Sequence, residues 1–319
     1  MDSHRPPQNK LRHSLQKQSQ VLLRKGLAAL PETLRQRAYR RCFQLNYNPP
    51  PHLKLKLAET REELEAAFRV LNDCYIEQGF GQTQPSGIRV TLHHALPSTC
   101  TLIALWNSEV VGTVSIVKHN KFGLPMEKSF DLGRLRSNGR RVAEITCLSV
   151  RNDHRRVGGG DIYFPLIKFL YTYCVRCFGV DLMAVVLHPK HQDFYADLLG
   201  FEKIEEKVVP DYLGAPAVGM FLDLEKAYER NAMIYGDKPA ERNLFRYIVN
   251  FEAPNFAYPC RDYFKISEPV MTPELLDYFF NRKTDIFSRL TDREYQILLE
   301  DLGNDVVREI VPQRLSPLN

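Results

Sequence analysis

The chain has 319 residues, 44% of them hydrophobic and 25% charged, with a formal charge of +5. This is globular composition: it excludes a collagen-like chain, a disordered chain and a disulfide miniprotein, and it allows one large domain or two small ones. The charge is uneven, because residues 1–50 hold ten Lys/Arg against two Asp/Glu, while the rest hold 33 against 36.

In chain order, residues 1–52 read as a basic helical arm. A loose leucine stripe (Leu11, Leu15, Leu22, Leu27, Leu30, Leu34) runs along it, Gly26 and Pro31 divide it into two short helices, and Asn48-Pro-Pro-Pro-His52 ends it as a stiff joint. Leu53–Ala58 reads as a strand, and Thr60-x-x-Glu63 is a capping box that starts a helix with Leu64, Ala67, Phe68, Leu71 and Tyr75 on one face. Residues 79–97 read as a loop, followed by a hairpin of Thr101–Trp106 and Val110–Val117 and a strand at Val142–Val150. A helix at Asp161–Phe178, a strand at Asp181–Leu187, a helix at Lys190–Leu199 and strands at Phe201–Val208 and Ala217–Leu224 complete residues 53–225. Residues 226–319 read as a helical extension, with helix starts at Thr272-Pro273-Glu274 and Thr291-Asp-Arg-Glu294.

The sharpest motif lies between the strand ending at Val150 and the following helix. Arg155, Arg156, Gly158, Gly159 and Gly160 combine full positive charge, backbone that turns tightly, and a helix N-terminus with unpaired N–H groups, which suits a phosphate. A P-loop needs Gly-Lys-Ser/Thr here, and a dinucleotide fold needs a third glycine where Tyr163 stands.

The R-x-x-G-x-G pattern of Arg155–Gly160 resembles the pyrophosphate loop of the GNAT superfamily of N-acyltransferases. The run from Val185 through Phe194-Tyr195 to Leu199-Gly200-Phe201 resembles the segment that follows it in that superfamily. Gly87-Ile-Arg89-Val-Thr91, Leu96-Pro-Ser-Thr99, Val111-Gly-Thr-Val-Ser115, Gly123-Leu-Pro-Met126, Arg140-Arg-Val-Ala-Glu144 and Ala215-Pro-Ala-Val-Gly219 together resemble the N-acyl amino acid synthases, relatives of the acyl-homoserine-lactone synthases. The resemblance spans about residues 53–225. It implies an α/β fold with a mixed twisted sheet flanked by helices. It also implies transfer of a long acyl chain to the amine of an amino acid. The donor would be the phosphopantetheine thioester of acyl carrier protein, or acyl-CoA, and no permanently bound cofactor is expected.

Amine acylation needs a proton acceptor. Glu144, in the strand that feeds the phosphate loop, is the expected general base; pairing with Arg140 or Arg141 is the alternative. Tyr195 is the expected general acid, with a core aromatic as the alternative. The backbone of Leu148 and Val150 is expected to meet the pantetheine. Arg89, Thr91 and His119 are expected on the acceptor side. Cys147 stands where the family and its lactone-forming relatives usually carry Arg, and His119 where the family often has Asp.

Other candidates have plainer readings. Cys174-x-x-Cys177 lies within a helix and reads as core, His188-x-x-His191 is half a metal site at most, and no metal is expected. His93-His94 reads as a solvated loop, with acceptor lining as the alternative. Seven cysteines without a framework, no apolar leader and no membrane-length apolar run point to a cytoplasmic chain. The basic arm has three readings: a dock for the acidic face of acyl carrier protein, a peripheral membrane contact, or a solvated helical face. No motif supports nucleic-acid binding. A lactone synthase and a non-catalytic acyl-carrier or lipid-binding domain remain the rival functions.

Overall fold

The computed structural model describes residues 26–27, 29–80, 84–155, 162–258 and 270–311. Arg156 and Gly158–Gly160 of the expected phosphate loop, and the first 25 residues of the arm, lie outside them.

Helix α1, Glu32–Cys42, precedes strand β1, Leu53–Leu57. Helix α2, Arg61–Gln78, starts at Thr60 through the expected capping box and ends where Gly79 takes the left-handed conformation (φ 76°). Strands β2, Thr99–Trp106, and β3, Glu109–Lys118, form a hairpin whose two turn residues, Asn107 and Ser108, both have positive φ. Next come β4, Val142–Val150, α3, Tyr163–Arg176, and β5, Leu182–Leu187. Strands β6, Glu202–Lys203, β7, Val209–Tyr212, and β8, Ala215–Asp223, end the central region. The strand expected over Phe201–Val208 is therefore cut to two residues. The chain bends at the charged run Glu205-Glu206-Lys207, where Lys207 pairs with Glu205, and re-enters as β7 in a hairpin with β8. The helix expected at Lys190–Leu199 is a succession of 3-10, α and π turns.

The sheet runs β6-β8-β5-β4-β3-β2-β1 in order, with β7 on the N-terminal part of β8; β4 and β5 are parallel neighbours and the other pairs of this run are antiparallel. Both faces are covered, so successive β2 residues enter different cores: Leu102 and Ala104 join one with Phe169 and Tyr173 of α3, Ile103 the other with Leu64 and Phe68 of α2. Gly219 of β8 is required by close packing, since a Cβ there would lie 2.8 Å from the Phe130 ring.

The C-terminal residues are woven into the same body. Helix α4, Leu224–Tyr235, crosses the expected boundary, and strand β9, Phe256–Ala257, pairs in parallel with β1 at the sheet edge. Helix α5, Pro273–Asp277, α6, Asp292–Leu302, and α7, Asn304–Ile310, bring Leu276, Leu298 and Val307 into the core on the α2 face. Thr272 and Thr291 are N-caps, as expected. Among the described residues no helix is long and apolar enough to cross a membrane.

Candidate active site

Strands β4 and β5 hold hands for only part of their length. Their register runs from Val142↔Leu182 to Ile145↔Val185 and then stops, so the strands separate beyond Ile145. On its other side β4 carries a bulge: Ser115 faces Thr146 and Thr113 faces Ser149, leaving Cys147 and Leu148 together opposite Val114. Cys147 takes φ 60°, an uncommon conformation for a residue with a Cβ. A cavity of about 1740 Å³ opens at this split, above the roughly 300–1,000 Å³ of ordinary ligand pockets.

Glu144 lies in the last paired stretch of β4, lines the cavity and is 1% exposed. Its Oε2 accepts the Met126 N–H at 2.7 Å, so the Gly123-Leu-Pro-Met126 segment serves to hold this carboxylate. Burial, with the charge of Glu127 adding to it, pushes its pKa up to about 8, against the opposing Met126 hydrogen bond. The alternative pairing is not made: Arg140 binds Asp223 at 2.6 Å and Arg141 binds Asp181 at 2.7 Å.

Around Glu144 stand groups from three separate segments. Tyr75 of α2, Tyr212 of the β7–β8 hairpin and Cys147 all line the cavity, and burial raises the pKa of each, with further contributions from their mutual charges and that of Glu144. The Cys147 thiol is pushed up to about 11, so it stays protonated at neutral pH. Arg89 lies over the Tyr75 ring at 4.9 Å and its charge acts on Cys147 in the opposite sense to burial. The Arg89 guanidinium and Cys147 thus line the same cavity.

Thr91 lines the cavity and caps the turn Leu92–Ala95. Its N–H donates to His94 Nδ1 at 3.1 Å, which leaves Nε2 as the protonated nitrogen that meets Ser115 Oγ at 3.2 Å. His94 is buried and desolvation pulls its pKa to about 4, so the expected solvated loop is instead a neutral, hydrogen-bonded core element. His93 lines the cavity, with Nε2 3.3 Å from the Gly123 carbonyl. His119 departs from expectation: it is exposed, bonded to Arg136, and is not part of the cavity lining.

Tyr195 lines the cavity, among Phe194 and Phe201. Burial raises its pKa, and the neighbouring hydroxyl of Tyr163 works the other way. Its helical turn is tied to α1 by Arg35, whose Nε meets the buried Asp197 carboxylate at 2.5 Å, and by Tyr39 against Phe194.

Leu148 and Val150 both line the cavity. The Val150 carbonyl is already engaged, accepting from Arg155 Nε at 2.6 Å and from Cys74 Sγ at 3.4 Å. Arg155 therefore ties down the end of β4, and the bulge at Cys147–Leu148 is the interrupted part of the strand. Cys174 is fully buried in α3, in accord with a core role.

Two contributions escaped the sequence reading. Tyr212 sits on a hairpin whose strand is interrupted by Pro210 and Asp211. Residues of the extension, among them Tyr228, Phe245, Ile248 and Arg289, complete the cavity wall, and only their apolarity marks three of them in sequence.

The family model described as N-acyl amino acid synthase FeeM matches residues 66–223. The solved FeeM from uncultured soil microbes is 22% identical, with a TM-score of 0.50, and the match covers 56% of this chain and 96% of that one. The acyl-homoserine-lactone synthase LasI is 13% identical over 54% of this chain and 90% of its own, with a TM-score of 0.42. A GNAT-family acetyltransferase from Streptococcus pneumoniae is 14% identical over 54% and 98%, with a TM-score of 0.39. No curated protein sequence matches. Residues 66–223 thus match the model of the N-acyl amino acid synthase FeeM family and share the fold of the solved FeeM, a match that points to an N-acyltransferase.

Proposed function

We propose that this chain moves a long-chain acyl group from the phosphopantetheine thioester of acyl carrier protein, or of coenzyme A, to the amine of an amino acid. The observation that carries this reading is the placement of Glu144. It is a buried carboxylate with a raised pKa, at the point where β4 and β5 separate into a cavity far larger than a small acetyl donor needs.

The chemistry balances with groups on the page. The amine nitrogen attacks the thioester carbonyl carbon, the C–N bond forms, and the C–S bond breaks. Glu144 takes the proton lost by the amine, and the Tyr195 hydroxyl protonates the departing thiolate. A base with a pKa near working pH is well matched to that task. Arg89, which lines the same cavity as Glu144 and Cys147 and stacks on Tyr75, is the group we assign to the acceptor's carboxylate. Thr91 and His93 line the same cavity. The apolar lining that includes Ile167, Leu170, Met183 and Val185 suits an acyl chain. The excess of Lys and Arg in residues 1–50 suits an acidic carrier protein as partner.

The test is lipid extraction from cells expressing the chain, followed by mass spectrometry, beside cells expressing Glu144→Gln. N-acyl amino acids present with the native chain and absent with the variant are expected. Their absence with both would overturn the reading, and equal amounts with both would remove Glu144 from the mechanism.

A further inference from the structure

The family match ends at residue 223, yet the cavity does not. Its lining includes Ile167, Leu170 and Tyr171 of α3 and side chains that the family region does not supply. These are Tyr228 of α4 and Phe245, Ile248 and Val249 of the following turn.

That wall is built to stay in place. The Tyr228 and Phe245 rings meet edge to face at 5.1 Å. The turn Arg246–Asn250 is a π-turn whose start is fixed by Asn243, which accepts the Arg246 N–H at 2.8 Å. Tyr247 is fully buried between Tyr47 and Phe251. From the opposite side Lys168 of α3 reaches across the interface. Its side chain is 3% exposed, its Nζ donates to the Ile248 carbonyl at 3.0 Å, and it lies 5.7 Å from the centre of the Phe251 ring. A lysine is costly to bury, and this one spans the seam between α3 and the turn that presents Phe245, Ile248 and Val249.

We infer that the extension beyond the family domain sets acyl-chain length: Phe245, Ile248 and Val249 form the wall that meets the methyl end of the chain, and Lys168 holds that wall in register. The inference rests on the acyl-transfer reading above. It predicts a direction for each change. Removing the Phe245 ring opens room, and each further methylene that finds apolar cover is favoured about fourfold. Enlarging Val249 removes room. Loosening the turn at Lys168 blurs the limit without moving it.

The experiment compares chain-length profiles of N-acyl products, by mass spectrometry, for the native chain, Phe245→Ala, Val249→Phe and Lys168→Met. Thermal melts of each purified protein with free saturated fatty acids of graded length, as non-reacting probes, accompany it. Expected are longer products for Phe245→Ala, shorter ones for Val249→Phe, a broader spread for Lys168→Met, and matching shifts in the length of the best stabilising fatty acid. N-acyl products whose profile is the same in the native chain and in all folded variants overturn the inference and leave the acyl-transfer reading standing. No N-acyl product from the native chain overturns that reading, and the wall's role in it falls as well. If one variant fails to fold, as its melt would show, the opposite change at the neighbouring position still decides the direction.

Discussion

The two walls of the cavity are encoded in different ways. The near wall is a single strand, β4, with the loop and helical turns beside it, and its residues carry chemistry: Glu144, Cys147, Leu148, with Tyr195 across the split. The far wall is assembled from α3, α4 and the turn after it, and its residues carry shape: Ile167, Leu170, Phe245, Ile248. Chemistry needs particular residue types at fixed spacing, so it leaves motifs. Shape needs only apolar volume at the right place, which many sequences provide. The near wall falls within the family match and the extension's share of the far wall falls outside it.

This division can be broken by experiment. The largest effect is expected at Glu144. Its replacement by Gln keeps size and burial, so the melt should stay intact while the acylation rate falls about 10²–10⁴-fold. Phe245→Ala should change chain preference while keeping the rate with the best-fitting donor within a few fold. A large rate loss there would merge the two walls into one catalytic unit.

Next in size is the tie between the N-terminal helix and the near wall. Arg35→Met leaves the Asp197 carboxylate, 2% exposed, without its cation, and should cost about 3 kcal/mol in denaturant unfolding. A loss below about 0.5 kcal/mol would mean that α1 is not needed to hold the turn bearing Tyr195.

Tyr195→Phe should lower the rate about 10- to 100-fold, with little change in KM for either substrate, since only thiolate protonation is affected. An unchanged rate would leave Tyr195 as cavity lining.

A separate prediction concerns stability against pH. The folded Glu144 carboxyl holds its proton up to about pH 8, against a usual value of 4.5. The folded state therefore binds the extra proton between those pH values. The contribution of this group is full below about pH 4.5, declines as pH rises through the window, and levels off above about pH 8. Glu144→Gln should remove that part of the slope, so the variant gains on the native chain at the alkaline end. Parallel melting curves for the two proteins across the window would contradict the raised pKa.

Much of the near wall was legible. Strand β4 has the expected ends because an apolar run is bounded by Arg141 and Arg151, and a lone Glu inside such a run stands out. The Thr60 and Thr291 caps are local signals and were readable for that reason. The bulge at Cys147 was not, because it depends on the register against β3 rather than on any nearby residue. The family resemblance implies an acceptor-side place for His119, but the residue follows the end of β3 and is exposed outside the cavity lining. Tyr212 reaches Glu144 only through the β7–β8 hairpin, which Pro210 obscured. Phe245 and Ile248 belong to no motif in the sequence, and their partner across the seam, Lys168, lies about 80 residues earlier.

The central claim is that Glu144 is the base of an N-acyltransferase. It is tested most directly by kcat/KM for acylation of an amino acid from acyl carrier protein, measured from about pH 6 to about pH 9.5 on the native chain and Glu144→Gln. The native profile should rise with a midpoint near pH 8, where Glu144 gives up its proton. The variant should keep only the higher titration of the acceptor amine, at a much lower rate. A variant with the native profile and rate would contradict the account.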